Sequence, residues 1–303
     1  MAGTVSVTRL LALSKDLSDP ALIDHVNVME DRLSIGLVGC GAIGSILARI
    51  IDKGDAGEIR LLAVYDIVLE KAERLAASLK AKPKAAMSLE ELLSIPEIQL
   101  VLEAGSQAAL RECALPVLES GKDLLAMSVG AFVDAKLLRD VQTVLDRKRG
   151  RLYLPSGAIA GLDGVRAATT AKVESVTLTT TKPPAGLVGA PGVKDMDLNS
   201  IKVATEVFRG SAEEACRLFP ANVNVAASLS LAGIGPRRTM VRIIADPAVD
   251  RNIHEVELRG DFGIMRSRVE NVPSPENPRT SHLAILSAVA TLRKLTQQVQ
   301  VGT

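Results

Sequence analysis

Residues Gly39-Cys40-Gly41-Ala42-Ile43-Gly44 have the spacing G-x-G-x-x-G. Gly39 permits a tight turn, Gly41 lets backbone approach a pyrophosphate, and Gly44 lets a helix pack close on a strand. Ala42 and Ile43 open that helix, whose first N–H groups attract an anion. A carboxylate is then needed at the end of the next strand to bond ribose hydroxyls. Asp66 closes "LLAVYD", 22 residues after Gly44. Ile67 and Val68 follow it, with no Arg to receive a 2′-phosphate. This favours NAD as cofactor, with NADP as the alternative. The competing reading, a structural turn beside a surface Asp, leaves the joint presence of loop, strand, helix and carboxylate to coincidence.

The chain has only three histidines. In "DRNIHEVELRG", Asn252, His254, Val256 and Leu258 share one face of a strand by the period of two. His254 therefore points inward, either as a hydrogen-bonded core residue or as a proton carrier. Oxidation at a carbon bearing an amine or hydroxyl needs such a carrier. His25 lies outside the paired pattern, and His282 begins the last helix. Strand ends at "EAGSQ", "SVGAF" and "PSGAIAG" place small and polar residues where a ligand would lie. In "ANVNVAA", Asn222 suits a helix cap, and one of the two amides suits a nicotinamide carboxamide. Lys182 in "TTTKPP" either clamps a carboxylate or is solvated. In "ENPRTS", Asn277, Arg279, Thr280 and Ser281 at a helix start either bind an anion or cap the helix.

The elements that carry these residues alternate from Leu33 onward. Buried strands such as "LSIGLVG" and "IQLVLEAGS" are separated by amphipathic helices of 10 to 15 residues, the pattern of crossover units and a parallel sheet. After Ala158 the chain turns Thr-rich and β-forming, passes a Gly/Pro/Asp loop over 185–200, and reaches "RTMVRIIAD", "RNIHEVELRG" and "IMRSRVENV". These three predict successive antiparallel strands. Ser88–Glu91 and Ser211–Glu214 have capping-box spacing.

Length and composition bound the rest. At 303 residues, two domains are the default. A net charge of +1 without a basic stripe, and no Trp among 2 % aromatics, argue against a nucleic-acid surface. Cys40, Cys113 and Cys216 are odd in number and far apart, which points to a reducing, cytoplasmic setting with no Cys-built metal site. No apolar run reaches the length of a membrane span.

The stretches "GLVGCGAIGSILA", "PSGAIAGLDG", "TTTKPP", "FPANVNVAASLSLAG", "RNIHEVELRGDFG" and "NPRTSHLAILSAVATL" together resemble the L-aspartate dehydrogenase family, from about residue 34 to 295. The resemblance implies NAD- or NADP-dependent oxidation of L-aspartate to iminosuccinate. The imine then hydrolyses to oxaloacetate and ammonia or feeds pyridine-nucleotide biosynthesis. It further implies His254 as the catalytic residue, Ala158 and Asn224 at the cofactor, and a homodimer. Arg279 stands where many relatives have Lys, and the segment before Leu33 has no counterpart. The α/β fold expected is a Rossmann-type doubly wound parallel sheet plus a second α+β domain carrying an open-faced mixed sheet. The division expected is residues 1–32 as an N-terminal extension, 33–156 with 281–303 as the dinucleotide domain, and 157–280 as the substrate and dimerisation domain. A dihydrodipicolinate or semialdehyde reductase and a non-catalytic dinucleotide sensor are the alternatives. L-Aspartate is the expected partner, with no nucleic acid, membrane or metal.

Overall fold

The first strand, β1 (Leu33–Val38), runs through the middle of a parallel sheet, and every residue from Ser34 to Val38 is buried. The structure, a computed structural model, describes residues 32–148, 150–220, 224–274 and 277–302, with no side-chain detail for 277–279. The N-terminal segment 1–31, including His25, and Asn222 lie outside these residues. From β1 the chain continues through α1 (Ala42–Asp52), β2 (Ile59–Tyr65), α2 (Leu69–Ser78), β3 (Lys84–Ala85) and α3 (Leu89–Leu93). It then forms β4 (Leu100–Glu103), α4 (Gln107–Glu119), β5 (Asp123–Ala126), α5 (Ala135–Arg147) and β6 (Leu152–Tyr153). The strand order is β3-β2-β1-β4-β5-β6, with all pairs parallel. The order reverses between β1 and β4, and ligands of such sheets bind beyond the strand ends at that switch point.

Both faces of this sheet are covered, which is why its strands are apolar throughout. Ile35 and Leu37 face Leu47 and Ile51 of α1, together with Ile285, Ala288, Val289 and Leu292 from the end of the chain. Val38 and Val101 face Leu110, Ala114 and Val117 of α4 and Leu137 and Val141 of α5.

A second sheet follows. After α6 (Leu162–Ala168) come β7 (Val173–Lys182), β8 (Thr205–Ser211), α7 (Ala212–Leu218), α8 (Asn224–Ala232), β9 (Thr239–Ala245), β10 (Asn252–Gly260) and β11 (Gly263–Asn271). The order is β11-β10-β7-β9-β8. β7 is parallel to β9 and antiparallel to β10, so β9 and β10 are not neighbours, although they are consecutive in sequence. The expectation of three adjacent antiparallel strands is thus corrected: β7 inserts between the first two. One face packs Val176, Leu178, Val241, Ile243, Val256 and Leu258 against Val165, Ala215, Phe219 and Leu229. The other face is open and carries ion pairs, among them Arg268–Glu255 at 2.9 Å, Arg266–Glu257 at 2.6 Å and Arg242–Glu206 at 2.6 Å.

Local signals act as their chemistry dictates. Ser211 and Glu214 form a complete capping box at α7. At α3, Ser88 accepts from the Glu91 N–H, but the Glu91 carboxylate takes the N–H of Met87, one residue before the cap. Residues 277–281, expected at a helix start, instead form β13 (Asn277–Ser281), paired with β12 (Pro273–Ser274). Only then does α9 (His282–Thr296) begin, with Ser281 at its N-cap.

Candidate active site

The glycine loop fits a pyrophosphate by the space it leaves. Gly39 has φ +96°, and a Cβ there would come within 2.6 Å of Gly105 Cα. A Cβ on Gly44 would come within 1.9 Å of Gly39 O, so α1 can lie this close to the loop only with glycine there. A Cβ on Gly41 would meet nothing within 4 Å. Space is therefore left above the N-cap of α1, a helix with no acidic residue in its first turn. An anion is favoured at such a terminus. Gly39, Gly41, Ala42, Ile43 and Asp66 line one cleft, while Gly44 lies buried beneath it. Asp66 follows the end of β2, and its carboxylate accepts from the N–H of Cys40 at 2.8 Å and of Val68 at 3.0 Å. That grip holds the carboxylate against the glycine loop, where each oxygen keeps a further lone pair for a ribose hydroxyl. Lys71 lines the same cleft, a cation the strand-end reading had not found.

Ile43, Ala104, Gly105 and Ser106 line both this cleft and a neighbouring cavity of about 360 Å³, a volume suited to a small molecule. That cavity brings together Ala158, Lys182, Asn224, His254, Thr280 and Ser281 from widely separated segments. The side chains of Asn277 and Arg279 lie outside the described residues. The cavity floor is the inward end of the second sheet. His254 stands opposite Thr180 in the β7–β10 register, and Lys182 lies two residues further along β7. Both are nearly fully buried, His254 at 4 % and Lys182 at 6 % exposure.

Burial sets the electrostatics of the pair. Desolvation, reinforced by the Lys182 cation, pushes the His254 imidazole down to about 3, so it is neutral near pH 7. Thr180 Oγ1 is 2.9 Å from His254 Nδ1 and engages that nitrogen. Desolvation also pushes the Lys182 ammonium down to about 8. The cavity thus holds a neutral imidazole beside a lysine ammonium that burial desolvates.

The walls are tied by side chains from α8, β11 and α9. Asn224, at the start of α8, accepts from the N–H of Gly130 at 3.0 Å, which leaves its amide donors for a ligand. The loop carrying Ala158 is held by four side-chain bonds, one of them from Ser267 Oγ to Ala160 O at 3.0 Å. Asn271 Nδ2 donates to Ala158 O at 3.1 Å, Gly157 N–H donates to Ser287 Oγ at 3.0 Å, and Ser228 Oγ donates to Pro155 O at 3.4 Å. Ser106 and Ser128, from the strand ends "EAGSQ" and "SVGAF", also line the cavity, as does Asn252, to which the sequence reading gave no role. Asn252 shares the His254 face by the same period of two and was legible on that ground. Among the described residues, no group of three or more His, Cys, Asp or Glu side chains could hold a metal ion. Nor is any described helix long and apolar enough to cross a membrane.

Two known families match the two halves of the chain. The family described as "Homoserine dehydrogenase, NAD binding domain" matches residues 39–155, and "Aspartate dehydrogenase, C-terminal" matches 163–295. The chain is 48 % identical to the L-aspartate dehydrogenase of Methanosarcina barkeri over 273 residues, 89 % of this chain and 100 % of that protein. It is 49 % identical to that of Methanocella arvoryzae over 271 residues, 89 % and 99 % of the two. The crystal structure of aspartate dehydrogenase from Thermotoga maritima superposes with a TM-score of 0.69 at 28 % identity, covering 89 % of this chain and 100 % of that one. With the parallel sheet, the glycine cradle and the His–Lys cavity now in view, these likenesses place the chain in the L-aspartate dehydrogenase family.

Proposed function

We propose that this protein oxidises L-aspartate to iminosuccinate with NAD, NADP serving as the alternative cofactor. The imine then hydrolyses to oxaloacetate and ammonia or is passed to pyridine-nucleotide biosynthesis. The observation that carries this reading is the single cavity in which a buried neutral imidazole and a buried ammonium meet the end of a dinucleotide cleft. When bound, the nicotinamide supplies the acceptor for the hydride that leaves Cα. The residues of the chain do the rest. Gly41 and the first N–H groups of α1 hold the pyrophosphate, and Asp66 holds the ribose. The Asn224 amide and the backbone near Ala158 bound the nicotinamide side.

Lys182 pairs with one substrate carboxylate, and Thr280 and Ser281, just before and at the cap of α9, face the same cavity. Arg279 is assigned to the carboxylates with them, as is Asn277. The α-ammonium must lose a proton before its carbon can give up hydride. His254 takes that proton at Nε2, with Nδ1 held by Thr180. Burial depresses the imidazole most and the Lys182 charge second; two incoming carboxylates offset the second, so substrate itself raises the basicity of His254. That proton then passes to solvent, and during hydrolysis the same nitrogen relays a proton from the attacking water to the departing amine, so that iminium and water give ketone and ammonium.

The domain division at 156/157 and 280/281, with α9 returning to the first sheet, follows from this assignment of roles. The open face of the second sheet is the surface we assign to a homodimer. Cys40, Cys113 and Cys216 are free thiols, in keeping with a cytoplasmic setting.

Turnover tests the reading. Purified protein with NAD and L-aspartate should generate the reduced-nicotinamide absorbance, and aspartate semialdehyde should not substitute. Cofactor binding without any L-aspartate turnover would instead mark a sensor and overturn the proposal.

A further inference from the structure

We infer that Glu103 is a positioning residue for hydride transfer, its carboxylate fixing the two loops that wall the reaction cavity. Glu103 ends β4, is fully buried, and lines neither the cleft nor the cavity. Its Oε1 accepts from Gly105 N–H at 2.9 Å and from the Ser128 hydroxyl at 2.8 Å. Its Oε2 accepts from Ser128 N–H at 3.0 Å. Its carbonyl accepts from Met127 N–H at 3.0 Å, so backbone and side chain both grip the segment after β5.

Burial pushes the carboxyl upward against these bonds. An apolar residue would complete a parallel strand at lower cost, because a buried carboxylate is expensive unless every oxygen is satisfied. What the carboxylate adds is a fixed distance between two loops. Gly105 is the residue against which Gly39 packs, and with Ser106 it lines both cleft and cavity. Ser128 lines the cavity, and two residues on Gly130 donates to Asn224. One carboxylate thus joins the β4 loop, on which Gly39 packs, to the β5 loop and, through Gly130, to the second sheet's α8. Displacing reacting atoms by ~1 Å can cost ~10²-fold in rate, so a residue that touches neither reactant can still govern kcat.

Glutamine cannot replace it. Each oxygen already faces a backbone N–H, so an amide nitrogen at either position points N–H at N–H, and no flip relieves it. Aspartate keeps the charge but is one methylene short of spanning both loops.

The inference rests on the oxidation proposed above, and the test separates the two. Wild type, Glu103→Gln and Glu103→Asp are compared by steady-state kinetics and by titration with NADH, followed through the nucleotide's own emission because the chain has no Trp. Glu103→Gln should lower kcat about 10- to 100-fold while KM for L-aspartate and the NADH affinity stay within about threefold, with bound-NADH emission altered. Glu103→Asp should lie between. Wild-type kcat in Glu103→Gln overturns the inference, as does a loss of kcat matched by equal loss of NADH-binding protein. If Glu103→Gln does not fold, Glu103→Asp decides on the same criteria. If wild type does not oxidise L-aspartate, the proposed function fails alone. The emission of bound NADH then decides for Glu103: altered at unchanged affinity supports positioning, and unchanged emission refutes it.

Discussion

Thr180 Oγ1 and His254 Nδ1 stand 2.9 Å apart across antiparallel strands. The contact fixes the ring and leaves Nε2 as the nitrogen open to a substrate. It is a bond between two strands of a packed sheet, so the imidazole is held by the scaffold and not by a loop. His254→Ala should therefore lose about 10²–10⁴ in kcat, the usual worth of a placed acid–base group. NADH affinity should hardly change. Full turnover in the variant would return His254 to a packing role.

Lys182 makes substrate binding depend on pH. Its ammonium is held down to about 8 in the free protein, so it is cationic below that value and neutral above it. A dicarboxylate without an amine, such as succinate, binds the cationic form. Its inhibition constant should be flat below about pH 8 and rise up to about tenfold per unit above, since a ligand that prefers the protonated form is weakened where the free group loses its proton. Lys182→Arg should abolish the alkaline rise, and Lys182→Met should weaken succinate about tenfold at neutral pH. An unchanged alkaline rise in Lys182→Met would remove Lys182 from the carboxylate site.

The cofactor cleft carries one cation, Lys71, among the carboxylates Asp66, Glu90 and Glu112. Asp66 suits a ribose with free hydroxyls, whereas Lys71 suits a 2′-phosphate. Lys71→Ala should raise KM for NADP about tenfold by removing one charge-assisted contact, and leave KM for NAD within about twofold. Parallel changes for both cofactors would mean that Lys71 does not read the 2′ position.

Two glycines of the loop should respond differently. Gly41→Ala places its methyl where nothing lies within 4 Å, so the thermal midpoint should hold while NADH affinity falls at least about tenfold. Gly44→Ala drives its methyl to within 1.9 Å of Gly39 O, so α1 must move and stability should fall as well. Calorimetry alongside NADH titration distinguishes the two. Equal losses of stability would contradict a cradle left open for a ligand.

The first sheet was legible because each of its units is local. A buried strand, a glycine turn and an amphipathic helix carry their own periodicities, and the parallel order follows from the crossovers. The second sheet was legible only in part. β7, β9 and β10 each read as strands, but nothing local says that β7 enters between the other two, because that order is set by pairing across some seventy residues, as in His254 against Thr180. Residues 277–281 carry capping residue types, yet their backbone pairs with β12. Glu103 heads the strand end "EAGSQ" but was given no role of its own there. A single carboxylate in a strand buried on both faces was the signal, since such a charge persists only where donors surround it. His254 was legible as an inward-facing residue, and Lys182 only as either a carboxylate clamp or a solvated cation, whereas the structure shows it buried. Their low proton affinities were not, because burial is a property of the assembled cavity.

The most direct measurement is the structure of the ternary complex with NAD and succinate. His254 Nε2 should face the ligand carbon corresponding to Cα from about 4 Å, close enough to hydrogen-bond the amine that L-aspartate carries on that carbon, with the nicotinamide on another side of it. An imidazole separated from the ligand by intervening side chains, or a ligand bound away from Lys182, would contradict the mechanism.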